Sequence, residues 1–316
     1  MSERFYLHAH LNIRETGAGE KKRLLNVVVR RLIPRLALLL LLVALSDSGQ
    51  AQTRQQSTET REAAYSFGVF PFLPAARLEA VFAPIGGELG RALGREIHYR
   101  SAATYEQFVQ RLAKQEFDIA HIQPFDYVRI AAPNGYRPVA RRNDVLAAIA
   151  VVRDGSPLRS LDGLRGTIIA MPTEVSATTS LAKVMLKQAG VEPGKDVKIK
   201  YFEDHHSCIH QMMIGSAAAC FTGIQSARLY EAKTGAKLRT IARSPSIPQT
   251  LFVVHSRVPR KDRETIRRTL LTSTLQGLAP ELREFISRDA QQPFIPAEDS
   301  DYDIVRQYWS LIEGRQ

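Results

Sequence analysis

The chain has 316 residues, a formal net charge of +11 and 44% hydrophobic residues. This length is sufficient for two ordinary lobes, each with its own core. The basic residues form no run of five or six like charges and no basic helix with interleaved aromatic side chains, so we expect no nucleic-acid partner.

The first residues have the pattern of a signal peptide. A basic segment ending at Arg35 precedes ten apolar residues, 36–45, and small residues follow up to Ala51. Ten apolar residues are too few to span a bilayer, which requires about 20. We therefore predict a periplasmic protein that is cleaved near Ala51, with 1–51 as the signal region and 52–64 as a flexible leader. An uncleaved anchor is the alternative.

From residue 65 onward, strand-like and helix-like segments alternate, which predicts an α/β fold built from βα units. The predicted strands are 65–70, 96–99, 117–122, 137–141, 146–152, 167–171, 197–202, 217–222, 239–243 and 251–255. The predicted helices are 75–93, 105–114, 179–189, 206–214 and much of 260–316. The pattern restarts near Ser160, which indicates two lobes.

Two lobes with an inserted middle segment predict a two-stranded hinge with a ligand cleft between two α/β lobes. We assign 65–146 and 254–316 to lobe 1 and 147–253 to lobe 2. The predicted crossings between the lobes lie near 143–151 and 244–253.

Hydroxyl side chains are concentrated where a strand ending at Pro172 meets the next helix. Ser176, Thr178, Thr179 and Ser180 fall within five residues. The free N–H groups and the positive dipole end of a helix N-terminus favour an anion, and hydroxyls add neutral donors. Ordinary N-capping by Ser and Thr is the alternative interpretation.

Cys208 and Cys220 are the two cysteines of the chain. In an oxidising compartment they could form one disulfide, and two buried thiols are the alternative. The sequence lacks a Gly-x-Ser-x-Gly nucleophile motif and paired carboxylates in a glycosidase-like setting, so we do not expect an enzyme.

Several short motifs occur in a recognisable order. They are residues 68–71 (GVFP), 104–105 (TY), 118–124 (DIAHIQP) with Tyr127, 160–166 (SLDGLRG), 176–179 (SATT), 205–206 (HH) and 244–248 (SPSIP). Their order and spacing resemble those of the phosphate/phosphite/phosphonate-binding proteins of ABC importers, a branch of the two-lobed periplasmic binding proteins.

The resemblance implies a set of ligand-binding side chains. It implies that the hydroxyls of Tyr105, Ser176, Thr178 and Thr179 donate to the ligand, and that His205 or His206 joins them. His121, Gln123 and Tyr127 are predicted to line the strand ends of lobe 1, with a packing role for Tyr127 as the alternative.

The chain also departs from the pattern of the family. Family members that bind an aminoalkyl phosphonate offer carboxylates to the amine, whereas this chain has Thr222, Gln225 and Gln249 in those regions. The resemblance therefore disfavours an aminophosphonate ligand.

The implied function is capture of a small phosphorus oxyanion (phosphate, phosphite or phosphonate) by lobe closure. A monomer without a cofactor would deliver it to an ABC permease in the inner membrane. Two alternatives remain open at this point. One is a ligand sensor for a membrane receptor, and the other is a metal-binding protein that uses His205, His206 and His210, of which the last two share a helix face.

Overall fold

The computed structural model describes residues 63–273 and 292–314. The strands are β1 Tyr65–Val69, β2 Ile97–Arg100, β3 Ile119–Ile122, β4 Tyr136–Arg142, β5 Val145–Leu146, β6 Ala148–Arg153, β7 Ile168–Met171, β8 Lys198–Tyr201, β9 Ala219–Gly223, β10 Leu238–Arg243, β11 Ile247–Pro248, β12 Leu251–His255 and β13 Phe294–Pro296. The helices are α1 Ala75–Leu93, α2 Tyr105–Ala113, α3 Ala177–Gln188, α4 His205–Met213, α5 Ile224–Thr234, α6 Arg260–Thr272 and α7 Asp303–Glu313. The predicted signal region and residues 52–62 of the predicted leader lie outside the described residues.

The strands form two main sheets, which confirms the predicted two-lobed α/β fold. The larger sheet has the order β13-β4-β12-β3-β1-β2, and the smaller has the order β10-β6-β9-β7-β8. In the larger sheet β1 runs parallel to β2 and β3, and in the smaller sheet β7 runs parallel to β8 and β9. The carboxyl ends of each parallel set therefore share one sheet edge, where ligands of α/β proteins bind.

Two connections link the sheets. The first contains β5 and the second contains β11, and these two short strands pair antiparallel with Leu146 opposite Ile247. The Ala148 N–H also donates to Ser244 Oγ at 2.9 Å, and the Ser244 N–H donates to the Ala148 carbonyl oxygen at 2.8 Å. The two connections are therefore tied to each other.

The second boundary between the lobes lies earlier than the sequence predicts. The sequence places residues 251–253 in lobe 2, but β12 pairs with β3 and β4 of the larger sheet. All five residues of β12 are buried, as expected of a central strand that is covered on both faces. Lobe 1 therefore resumes at Leu251.

Three helices begin where a side chain caps a backbone N–H group. The caps are Thr104 before α2, Ser176 before α3 and Asp204 before α4. A cap of this kind stabilises a helix by about 1 kcal/mol. Because α2, α3 and α4 each follow a strand of a parallel set, their N-termini lie at the carboxyl-end edges of the two sheets.

The C-terminal helix brings the two lobes together. Helix α7 packs against α3 of lobe 2 and against the short helix Pro124–Asp126 of lobe 1. Trp309 of α7 contacts a continuous apolar cluster that includes Phe125 from lobe 1 and Leu181 from lobe 2. The lobes are therefore in contact in this structure.

Two further features bear on the fold. Cys208 of α4 and Cys220 of β9 form a disulfide with a Cα–Cα distance of 5.9 Å, which decides between the two alternatives for the cysteines. None of the helices in 63–273 and 292–314 has both the length and the apolar character needed to cross a membrane.

Candidate functional site

The hydroxyl-rich segment forms the first turn of α3, at the carboxyl end of β7. Helix α3 begins at Ala177, two residues before the predicted start, because Ser176 caps it. The Ser176 Oγ accepts the Thr178 N–H at 3.2 Å. Ala177, Thr178 and Thr179 are buried. The helix end therefore lies inside the molecule rather than at its surface.

Gln123 crosses from lobe 1 to this helix end. It follows β3 of the larger sheet, and its side chain is 8% exposed. Its amide oxygen accepts the Ala177 N–H at 2.8 Å, and its amide nitrogen donates to the Val175 carbonyl oxygen at 3.3 Å. The N-terminus of α3 thus binds an oxygen atom that the opposite lobe presents.

Tyr105 and Asp126 extend this network within lobe 1. The Gln123 amide nitrogen donates to Tyr105 Oη at 3.2 Å, and the Tyr105 hydroxyl donates to Asp126 Oδ1. Burial raises the pKa of Tyr105, and the charge of Asp126 raises it further. Burial also raises the pKa of Asp126 to about 6, although the Tyr105 hydrogen bond and the charge of Arg129 oppose this rise.

The two buried threonines of α3 differ in the state of their hydroxyls. Thr178 is 4% exposed, and its hydroxyl has no hydrogen-bond partner among the described residues. The Thr179 hydroxyl lies 2.9 Å from the Thr173 carbonyl oxygen and 3.2 Å from that of Pro172. A hydroxyl has a single proton to donate. The predicted donation from Thr179 to a ligand is therefore corrected, because its proton holds the loop between β7 and α3.

His205 lies at the same edge of the smaller sheet. Its Nδ1 lies 2.9 Å from Thr222 Oγ1 and accepts the Gly223 N–H at 3.5 Å. Since Nδ1 accepts, the proton of the neutral ring is on Nε2. Burial lowers the pKa of His205 to about 4, against the opposing charge of Asp204. His205 is therefore a neutral ring with one N–H group to donate.

His206 points away from this edge. Its exposed ring lies 6.5 Å from the His210 ring and 5.0 Å from the Tyr230 ring of α5, measured between centroids. His206 and His210 share a helix face as predicted, but His205 turns toward Thr222. Within the described residues, no group of three or more His, Cys, Asp or Glu side chains is arranged to hold a metal ion.

His121 is part of an aromatic core cluster. Its ring centroid lies 4.8 Å from that of Phe82, 4.8 Å from that of Phe252 and 5.7 Å from that of Phe70. Burial lowers the pKa of His121 to about 3, and the positive charge of Arg142 contributes. This position corrects the predicted ligand-binding role, because the ring packs among phenylalanines under α1.

Tyr127 has a packing role, which was the alternative to a ligand contact. It is fully buried, and its ring centroid lies 5.0 Å from that of Tyr302. Its hydroxyl donates to Asp299, which precedes α7. Tyr127 thus anchors the C-terminal segment to lobe 1 rather than facing α3.

Asp126 is the residue of the site that the motifs miss. It is the last residue of the short helix that Gln123 precedes, and both side chains contact the Tyr105 hydroxyl. The available signal was an acidic residue in the short segment between the end of β3 and Tyr127.

Comparisons with known proteins agree with this architecture. A family model described as "ABC transporter, phosphonate, periplasmic substrate-binding protein" matches residues 67–302. PhnD1 from Prochlorococcus marinus (MIT 9301), solved in complex with methylphosphonate, is 18% identical with a TM-score of 0.65, covering 80% of this chain and 99% of that chain.

Two further structures share the fold. A binding protein component of an ABC phosphonate transporter from Pseudomonas aeruginosa is 14% identical with a TM-score of 0.63, covering 79% of this chain and 86% of that chain. A Xanthomonas citri protein bound to ATP is 13% identical with a TM-score of 0.65, covering 80% and 98%. Because the family model matches most of the residues, the chain belongs to the family of periplasmic substrate-binding proteins of phosphonate ABC transporters.

Proposed function

We propose that this protein captures a small phosphorus oxyanion (phosphate, phosphite or phosphonate) between its lobes and delivers it to an ABC permease. We further propose that it is exported to the periplasm after removal of residues 1–51 and acts there as a monomer. The family supplies the transport role, and the methylphosphonate bound to PhnD1 of Prochlorococcus marinus supports the ligand class.

The contact between Gln123 and Ala177 carries this proposal. The amide oxygen of Gln123 lies 2.8 Å from a backbone nitrogen in the first turn of α3. A phosphorus-bound oxygen needs the same kind of N–H donor, and the positive end of the helix dipole favours its negative charge. In the liganded protein, an oxygen of the anion would take the place of the Gln123 oxygen.

The hydrogen-bond donors around this helix end are neutral, which suits an anion that must later be released. The hydroxyls of Ser176 and Thr178 and the Nε2–H of His205 are neutral groups at one edge of the smaller sheet. Tyr105 of lobe 1 is not one of these donors: its single proton is donated to Asp126 and its oxygen accepts from Gln123, which corrects the predicted donation from Tyr105 to the ligand. Neutral donors satisfy the oxygens of a buried anion, and the site lacks a cationic side chain among these residues. A ligand that contacts both lobes favours the closed state and shifts the population toward it.

The hydroxyl of Thr178 provides the test. Because this hydroxyl has no hydrogen-bond partner among the described residues, we expect Thr178→Ala to weaken binding of methylphosphonate by about 1–3 kcal/mol, or roughly 5- to 150-fold in Kd. Titration calorimetry on protein freed of ligand by unfolding and refolding would measure the change. Thr173→Ala, an exposed threonine three residues before the Ser176 cap, is the matched control and should bind as the wild type does. Equal affinity of all three proteins would remove Thr178 from the site.

A further inference from the structure

Asp126 places a buried carboxyl group beside a site that should receive an anion. The side chain is 1% exposed. One carboxyl oxygen accepts the Tyr105 hydroxyl, and the other, Oδ2, is buried without a hydrogen-bond partner among the described residues. An acceptor left without a donor is unfavourable. The carboxyl group is therefore suited to a ligand that brings a proton.

The carboxamide of Gln123 shows where the site offers hydrogen-bond donors and where it offers acceptors. Its oxygen faces the donor end of the site, the Ala177 N–H. Its NH₂ group faces the acceptor end, formed by Tyr105 Oη at 3.2 Å and the Val175 carbonyl oxygen at 3.3 Å. A group that fits both ends has an acceptor oxygen on one side and a hydrogen-bond donor on the other.

Singly protonated phosphorus oxyanions have this arrangement, because they carry unprotonated acceptor oxygens together with one P–OH group. Sulfonates of the same shape are fully deprotonated near neutral pH and offer acceptors only. Such an anion would meet Asp126 without a proton between them, and two negative groups in a buried site repel each other.

We propose that Asp126 is a specificity-determining residue, whose free oxygen accepts a hydrogen bond from the P–OH group of a singly protonated phosphorus oxyanion. This inference rests on the proposed function. The Tyr105 hydroxyl fixes the orientation of the carboxyl group by donating to Oδ1, so that Oδ2 remains for the ligand. Burial raises the pKa of Asp126 to about 6, against the opposing hydrogen bonds of Tyr105 and Gln123 and the charge of Arg129, so the carboxyl group can still ionise near neutral pH and accept.

The test compares methylphosphonate with methanesulfonate, its counterpart without an acidic proton. The wild-type protein should bind methylphosphonate at least about tenfold more tightly, as expected for a hydrogen bond to a charged group. Asp126→Asn keeps the size of the side chain but removes the charge, and should reduce this ratio by about tenfold or more. Calorimetric titration of both ligands, with thermal unfolding of each variant, supplies the data.

Asp118→Asn is the matched control. Asp118 lies before the start of β3, at the opposite end of the strand from Gln123, where it binds Ser66 and Arg257. This variant should retain the wild-type ratio between the two ligands.

Several outcomes would overturn the inference. If the wild type binds methylphosphonate but Asp126→Asn leaves the ratio unchanged, the role of Asp126 is refuted and the proposed function stands. If 2-aminoethylphosphonate is titrated as a third ligand and Asp126→Asn weakens the binding of that ligand alone, Asp126 contacts an amine and the inference is refuted. If Asp126→Asn does not fold, equal binding of methylphosphonate and methanesulfonate by the wild type refutes the inference. Binding of no oxyanion by the wild type would refute both proposals.

Discussion

Replacement of His121 should change how the stability of the protein responds to acid. The ring lies among Phe70, Phe82 and Phe252, and its Nδ1 atom is buried without a hydrogen-bond partner among the described residues. A positive charge in this cluster is unfavourable, so burial lowers the pKa from 6.5 to about 3. His121 therefore remains neutral in the folded protein until the solution is strongly acidic.

The size of the effect follows from proton linkage. The folded state has the lower pKa, so the stability is fully present above pH 6.5 and is lost as the pH falls toward 3. Between pH 7 and pH 4 the unfolded chain takes up a proton at His121 that the folded chain does not. With about 1.4 kcal/mol per pKa unit, this residue alone lowers the free energy of unfolding by about 3 kcal/mol.

His121→Phe removes the titrating group and keeps an aromatic ring. We expect the free energy of unfolding of the wild type to fall by about 3 kcal/mol more than that of the variant between pH 7 and pH 4. His205, whose pKa is lowered to about 4, titrates in both proteins and cancels in the comparison. Urea unfolding at several pH values, followed by circular dichroism, measures the difference.

A second variant separates the titration from the packing. His121→Gln places an uncharged amide in the aromatic cluster and should be less stable at every pH, with the same flattened pH dependence as His121→Phe. If the wild type and both variants lose stability in parallel on acidification, the position of His121 described above is incorrect.

Two other predictions concern contacts outside the ligand site. Reduction of the Cys208–Cys220 disulfide, or replacement of both cysteines by alanine, should lower the free energy of unfolding by about 3 kcal/mol, because the bond closes a loop of roughly a dozen residues. Urea unfolding with and without reductant measures this difference. An unchanged urea midpoint would show that the bond does not form. Tyr127→Phe removes the hydrogen bond to Asp299 and should lower the free energy of unfolding, measured with urea, by about 0.5–1.5 kcal/mol. The Kd for methylphosphonate should not change. A weaker affinity would show that Tyr127 belongs to the ligand site.

Local sequence patterns predict most of the fold. Helix α1 and strand β12 have the predicted bounds, because Gly94 adopts a left-handed conformation that ends the helix and Pro248 precedes a continuous apolar strand. Helix α5 is missed because only Ala227 and Tyr230 are buried in it, so its apolar spacing is too weak to indicate a helix.

The candidate site is less predictable, because it depends on contacts between distant parts of the chain. The side chain of Gln123 reaches α3 only because the lobes close on each other, and no local spacing encodes that approach. The β3 strand is buried on both faces, so its sequence does not show which face His121 occupies. Thr179 and Thr178 are adjacent hydroxyls, and only the path of the loop before α3 distinguishes them.

The central claim is that a phosphorus oxyanion binds between the lobes. The most direct measurement is calorimetric titration of the purified protein with methylphosphonate, phosphite and phosphate, after bound ligand has been removed by unfolding and refolding with the disulfide intact. Saturable binding of at least one of them, with one ligand per chain, is the predicted result. Absence of binding for all three, in protein that has regained its folded circular dichroism spectrum, would contradict the claim.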